Sequence, residues 1–284
     1  MSGYAEGILV LLCINVIAAM GVSLLTGFTG IFSLGHAAYM ALGAYTSAIL
    51  TVKYGFHYVP AVFLGAGVAV AVAFFIGVPT LKLMGDYYAI ASIGLCEAIR
   101  LILENWQSVT RGARGYPGID AYTTLPVALA FVVVMAIFMF NIINSRFGRA
   151  CKACRDDHVA ASLLGFNTAR IRVVSLMISA FYCGVAGALL GGFLSFIQPV
   201  MFDMMKSTEL TSVVVFGGLG SMSGCILGTA VITLVTELFR PISQYRMLIY
   251  GAVLVIIMVL RPEGIMGNRE FTTWIKDAVG RRAK

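Results

Sequence analysis

Few side chains in these 284 residues could do covalent or metal chemistry. Cys151-x-x-Cys154 has a redox or zinc spacing, but no second cysteine pair accompanies it, and Arg149, Lys152 and Arg155 flank it. Two incidental thiols beside a membrane helix are the simpler reading. Asp156-Asp157-His158 could begin a metal site, yet no partner cluster exists, so a solvated loop is expected and no metal is assigned. Neither a Walker A sequence nor HExxH occurs. His36 lies among glycine and alanine and is expected to be buried and hydrogen-bonded. Glu97, Arg100 and Glu104 fall on one helical face and can pair as i, i+3 and i+4 partners. They read either as a paired span end near the headgroups or as the polar lining of an external mouth. The chain is therefore expected to be no enzyme and to bind no cofactor itself.

The elements holding these residues follow from composition. Charged residues make up 12% of the chain and apolar or aromatic ones 60%, with a mean hydropathy of +0.92. Soluble domains carry about 25% charged residues. Six stretches contain no Asp, Glu, Lys or Arg: 7–52, 54–81, 121–145, 173–202, 210–236 and 247–260. A soluble fold could not cover its surface with the remainder, disordered chains are poor in apolar residues, and six scattered cysteines make no disulfide scaffold. Phe131–Ile143 does not alternate polar with apolar as a barrel strand would. The expectation is an all-α, polytopic helical membrane protein forming one transmembrane domain over 1–284. Spans are expected near 5–26, 34–52, 59–80, 86–104, 122–144, 173–197, 207–219, 223–239 and 245–260, about nine in all with a range of eight to ten. Segment 86–104 is weakened by its charges and 207–219 by its length; whether 207–219 spans fully or is re-entrant stays open. No cleavable leader is expected, since Glu6 and no basic flank precedes the first apolar run.

Segments 146–172 and 261–284 each hold six of the 20 Lys and Arg residues. The positive-inside rule places both in the cytoplasm and leaves the N-terminus periplasmic. This accounts for the net charge of +7 without a nucleic-acid partner.

Glycines at 184, 187, 191 and 192, and at 220, 224 and 228, recur at helical spacing, which suits close helix approach in lipid. Thr26–His36 and Phe216–Gly224 are Gly- and Ser-rich inside apolar stretches. They read as interrupted helices, a pointer to a transport path, or as tight turns between spans. Gly30, Ser33, His36, Gly217, Gly218, Gly220 and Ser221 are thus candidate pathway or packing residues, with Glu97 and Arg100.

Within the basic loop, Arg155–Leu164 is expected to form a short helix, with Asp156 and Asp157 at its positive end and Gly165 at its C′ position. Asn167 or Thr168 would cap the next helix. Val159, Leu163 and Leu164 would be displayed either to a groove on a soluble partner or on a merely solvated connecting loop.

Ala160-Ala161-x-x-x-Gly165 is similar to part of the loop motif of bacterial ABC importer permeases, with Val159 where that motif has Glu and no Ile-x-Leu-Pro after it. The whole chain resembles the LivM-type permease of branched-chain amino-acid ABC transporters. The resemblance rests on Leu25–Gly30 with Ser33–Ala38, Gly85-Asp86-Tyr87, Gly148-Arg149-Ala150, Arg155-Asp156-Asp157, Gly217–Ser221, Tyr245–Leu248 and Arg261–Gly264, in this order and spacing. It implies an inner-membrane permease subunit working with a LivH-like permease, two ATPase subunits that bind ATP and magnesium, and a periplasmic substrate-binding protein. It also implies that Arg155, Asp156, Asp157, Val159, Ala160, Ala161, Leu163, Leu164 and Gly165 form the ATPase-coupling element. Urea or a short amide as the solute, and an ion-coupled transporter or channel, stand as alternatives.

Overall fold

The computed structural model describes residues 3–83 and 85–238, together with the single positions 251 and 264. The expected last span, 245–260, and the tail 261–284 therefore lie outside the described residues apart from Gly251 and Gly264. The chain is mostly helical: α1 (Gly3–Val22), α2 (His36–Tyr54), α3 (Tyr58–Val72), α4 (Asp86–Asn105), α5 (Leu125–Asn144), α6 (Arg146–Asp156), α7 (His158–Leu163), α8 (Thr168–Leu194), α9 (Met204–Gly217) and α10 (Met222–Leu238). Two-residue strands, β1 (Tyr116–Pro117) and β2 (Phe196–Ile197), pair antiparallel at the end opposite the basic loop.

The described residues do not confirm the expected count of about nine spans. Among the described residues, four helical rods are long and apolar enough to cross a membrane: Gly3–Phe28, Tyr58–Thr80, Leu125–Asn144 and Thr168–Leu194. The reason lies in what the other helices carry. Helix α4 holds Asp86, Glu97, Arg100 and Glu104. Helix α9 has 14 residues, a rise of about 21 Å against about 30 Å of hydrocarbon. Helix α8 runs from Thr168 to Leu194, five residues earlier at its start and three at its end than the hydrophobicity suggested.

Helices α1, α2, α3 and α8 form the core, and glycine sets their spacing. A Cβ on Gly187 would strike the Met40 carbonyl, and one on Gly43 the Gly184 backbone. Gly184 itself lies against Ala66, where a Cβ would come within 2.8 Å of the Ala66 Cα. Backbones approach this closely only where side chains are absent, which is how helices gain dispersion contact in lipid. The glycine spacing at 184, 187 and 191 thus belongs to packing inside this chain.

Polar residues at the core's edges are tied down. The Tyr58 hydroxyl bonds Thr123 at 2.6 Å and donates to the Ala188 carbonyl at 3.2 Å. The Tyr182 hydroxyl donates to the Met135 carbonyl at 2.9 Å, joining α8 to α5.

In the basic loop the expected helix over Arg155–Leu164 is corrected by three residues at its start, to His158. Arg155 and Asp156 finish α6, and the chain breaks at Asp157, whose backbone is extended at φ −157°. Asp157 is therefore the cap: its Oδ1 accepts from the Val159 and Ala160 amides at 2.8 and 3.0 Å. Asp156 instead pairs with Arg155. The C-terminal end is as expected: Gly165 has φ +88°, its amide bonds the Ser162 carbonyl and the Phe166 amide reaches back to Ala161, both at 3.1 Å. Asn167 caps α8 by accepting from the Arg170 amide at 3.0 Å.

Two outcomes test this architecture. Gly187→Val forces a side chain into the Met40 backbone, an overpacking penalty of about 1–3 kcal/mol or more. It should abolish the monodisperse peak in detergent size-exclusion chromatography, whereas Gly67→Val, with open space around it, should leave the peak intact. The amides bonded to Asp157 hold its carboxyl below the ordinary aspartate range, Ala160 first and Val159 second. The cap is therefore present above the ordinary aspartate pKa, about 3.9, and is lost as pH falls through the lowered folded value. At neutral pH, Asp157→Ala should speed amide exchange at Val159 and Ala160, and Asp157→Asn should restore protection.

Candidate functional site

Helix α6 begins at Ser145, whose hydroxyl accepts from the Gly148 amide, and turns one face inward through Gly148, Ala150, Cys151 and Cys154. Burial pushes the Cys151 and Cys154 thiols up, so neither is poised as a thiolate nucleophile or ligand. The Cys151 Sγ lies 3.5 Å from the Ser175 hydroxyl on α8. The CxxC spacing thus places two side chains on the packed face of α6. Among the described residues no three of His, Cys, Asp and Glu gather as a metal group.

Helix α7 has the opposite character. Val159, Leu163 and Leu164 are 54, 83 and 77% exposed, while Ala161 is buried against the small core formed with α6 and Ile171. Large exposed apolar side chains on a firmly capped helix suit a protein groove.

Arg155 points away from that face and into the bundle. Its Nη1 donates to the Gly27 carbonyl at 3.2 Å, and its Nε and Nη2 hold Asp156 Oδ1 at 3.1 and 3.0 Å. Gly30, at φ +75°, lies so close that a Cβ there would sit 2.9 Å from Arg155 Cγ. Lys152 stands 5.4 Å over the Phe28 ring. The loop therefore grips the place where the first membrane helix breaks. A cleft of about 390 Å³ opens beside this grip, lined among others by Thr29, Gly30, Asp86, Tyr88 and His158.

The break itself is well built. Helix α1 loosens into a π-helical turn at Ser23–Phe28, where the Thr29 amide bonds the Leu24 carbonyl at 3.1 Å. Non-helical backbone then leads to His36, where α2 starts. The Leu34 amide donates to Ser92 at 2.8 Å, the Ala37 amide to Ser207 at 3.3 Å, and Thr211 donates to the Ser33 carbonyl at 3.2 Å. Ser33 and His36 are buried. The expectation of a hydrogen-bonded His36 is corrected: among the described residues neither ring nitrogen has a hydrogen-bond partner of ordinary geometry, and the polar group facing the ring is the Ser33 backbone.

The second break lies at 218–221, between α9 and α10, with Gly218 and Gly220 at φ +115° and +96°. The Ser221 hydroxyl accepts from the Gly224 amide at 3.1 Å, and a Cβ on Gly217 would strike the Gly224 carbonyl. Gly264, at φ +80°, packs its Cα side on Gly218, where a Cβ would meet the Gly218 Cα at 2.6 Å. The two breaks meet: a Cβ on Gly27 would come within 3.1 Å of the Gly220 amide nitrogen. The break that holds Gly30, Ser33 and His36 and the break that holds Gly217, Gly218, Gly220 and Ser221 thus touch at Gly27 and Gly220.

Glu97 and Arg100 stand apart from it on α4. Arg100 holds Glu97 through its Nε at 2.9 Å and Glu104 through its Nη1 at 3.0 Å. Asp203, the cap of α9, is close enough to act on the Arg100 charge.

Sequence reasoning missed a second charged group. Lys206 Nζ pairs with Glu209 Oε2 at 3.2 Å and donates to Asn15 Oδ1 at 3.3 Å. The signal was visible: Asp203, Lys206 and Glu209 are spaced three apart between uncharged stretches of 30 and 27 residues. Placing the helix start at 207 left Lys206 outside it, whereas α9 begins at Met204. Charged residues at the centre of a bilayer cost about 2.5–3.5 kcal/mol each on insertion scales, so they need protein or water around them.

Comparison with known proteins agrees with this architecture. Residues 4–258 match the family described as branched-chain amino acid transport system / permease component. The high-affinity branched-chain amino acid transport system permease protein LivM of Salmonella typhimurium is 30% identical over 89% of this chain and 68% of its own length. LivM of Escherichia coli shows the same identity and coverage. LivH of Escherichia coli, a permease protein of the same kind of system, is 27% identical over 89% of this chain and 91% of its own. No solved structure matches the chain. A broken-helix bundle with a capped, exposed loop helix, matched over nearly its whole length, makes this chain a member of the branched-chain amino acid permease family, a multi-pass membrane protein of the LivM type.

Proposed function

We propose that this chain is the non-catalytic permease subunit of an ATP-driven ABC importer for branched-chain or other aliphatic amino acids, working by alternating access. The observation that carries the reading is the division of labour in the basic loop. Helix α7 offers Leu163 and Leu164 outward, and Arg155, three residues before it, holds the broken end of the first helix.

In this reading residues 146–172 and the C-terminus face the cytoplasm and the N-terminus the periplasm. Helix α7 seats in a groove of one of two ATPase subunits, which hold ATP and magnesium. A periplasmic binding protein delivers the amino acid, and a LivH-like permease supplies the other wall of the path. The force of ATPase closure enters at α7, crosses the Asp157 cap to α6, and leaves through Arg155 to the Gly27–Gly30 segment. Two packings of rigid helices suffice to carry such a movement. Substrate is held weakly, because a tight site would slow release.

Co-purification of the chain with two ATPase subunits, and ATP-dependent leucine uptake in proteoliposomes, test the reading. An ion gradient that drives uptake without any ATPase would overturn it. Substitutions at four positions separate the steps. Leu163→Asp should strip the ATPases from the complex. Ala161→Asp or Gly165→Pro should uncouple hydrolysis from uptake by distorting α7. Arg155→Ala should keep the ATPases bound and hydrolysing while uptake falls at least tenfold, with Arg155→Lys intermediate.

A further inference from the structure

Three contacts fix the depth at which α9 begins. Lys206 reaches Asn15, which stands about midway along the Gly3–Phe28 rod. The Phe202 carbonyl lies 3.9 Å from Cys96, the middle of α4. The Ser207 hydroxyl accepts from Ala37 in the first turn of α2. Helices α2 and α9 thus both start near the middle of the bundle, and α9 descends from there to the second break beside Gly27. It is a half-spanning helix, which answers the question the sequence left open for 207–219.

The Lys206–Glu209 pair therefore sits at mid-depth, and it is not sealed. The Lys206 and Glu209 side chains keep 20 and 32% of their exposure. Met204 and Met205 beside them are exposed as well. An open ion pair at that depth cannot face hydrocarbon; intramembrane ionisable residues face a bundle interior or a water-filled cavity. As a mere staple the pair would be a poor choice, since apolar residues of similar volume usually hold helices together as well.

We propose that Lys206 and Glu209 receive the two charged ends of a zwitterionic amino acid in transit. The proposal rests on the importer reading above. The Lys206 ammonium exchanges Glu209 for the substrate carboxylate, and the Glu209 carboxylate exchanges Lys206 for the substrate ammonium. Matched opposite charges let a zwitterion cross mid-depth without net charge change. Re-formation of the protein's own pair displaces the substrate, which keeps binding weak. The exposed Met204 and Met205 are apolar and adaptable beside an aliphatic side chain. Asn15 touches Lys206 from α1 and takes no part in holding the substrate.

The test uses the full complex of both permeases, ATPases and binding protein in proteoliposomes, with radiolabelled leucine and ATP. Glu209→Gln, and the reversed pair Lys206→Glu with Glu209→Lys, should lower leucine uptake at least tenfold per assembled complex. Basal ATP hydrolysis should stay within twofold. Asn15→Leu, which removes the α1 contact and leaves both charges, should stay within threefold in uptake. Reversed-pair uptake at half of wild type or more overturns the proposal, because a structural pair tolerates reversal. Loss with Asn15→Leu as deep as with the charge variants overturns it too, since the cluster would then be a staple. Water access gives a measurement independent of assembly yield. The six native cysteines are buried, so Thr208→Cys, on the exposed side of α9, should react with a hydrophilic maleimide; no reaction places that face in lipid and overturns the proposal. Failure of the importer reading shows differently, as wild-type complex without ATP-dependent leucine uptake.

Discussion

A broken helix inside a membrane bundle must have its freed backbone groups satisfied by protein, because hydrocarbon offers no hydrogen bonds. This constraint organises the chain. Between Phe28 and His36 the backbone leaves the helix, and three elements close around the break and its flanks: α4 through Ser92, α9 through Ser207 and Thr211, and α6 through Arg155. None of these partners is near in sequence. The fold is in large part the arrangement that brings them there, and the half-spanning α9 is present at the right depth to supply two of them.

The glycine spacing serves the same end by a different route. Close approach of α2, α3 and α8 makes a rigid block, in which Gly43, Gly184 and Gly187 leave no room for a side chain. Against that block stand the parts with fewer constraints: the π-helical turn at Ser23–Phe28, the Gly218–Ser221 turn, and the loop helix α7 outside. A rigid frame beside backbone segments with incomplete helical bonding is the combination a two-state element needs, since packed cores switch between discrete arrangements and do not bend continuously. Buried hydroxyls at Ser23, Thr26 and Ser179, without hydrogen-bond partners among the described residues, lie on the helices of the same region.

Electrostatics separates the two ends of the device. At the basic end charges pair locally, Arg155 with Asp156, and Asp157 spends its carboxylate on amides. At mid-depth Lys206 and Glu209 are matched within α9, and on α4 Arg100 is held between Glu97 and Glu104. Among the described residues these five charged side chains each have an opposite charge within about one helical turn. That local pairing is what permits them to be inserted there at all.

The amino-acid sequence determined a great deal without help. Uncharged stretches of helix-spanning length gave a helical membrane protein, and the caps at Gly165 and Asn167 could be named because capping is a local matter of side chain and backbone within four residues. The order of short motifs gave the family. Long-range geometry was another matter. That Arg155 turns inward to Gly27, that Gly27 meets Gly220, that α9 starts level with Asn15, and that Asp157 and not Asp156 caps α7 were decided by tertiary structure. Hydrophobicity reports how much of a segment leaves water and says nothing of depth or direction; a 14-residue apolar helix reads alike whether it crosses a bilayer or stops midway. Only packing, which satisfies backbone groups across 128 residues of sequence between Gly27 and Arg155, fixes which.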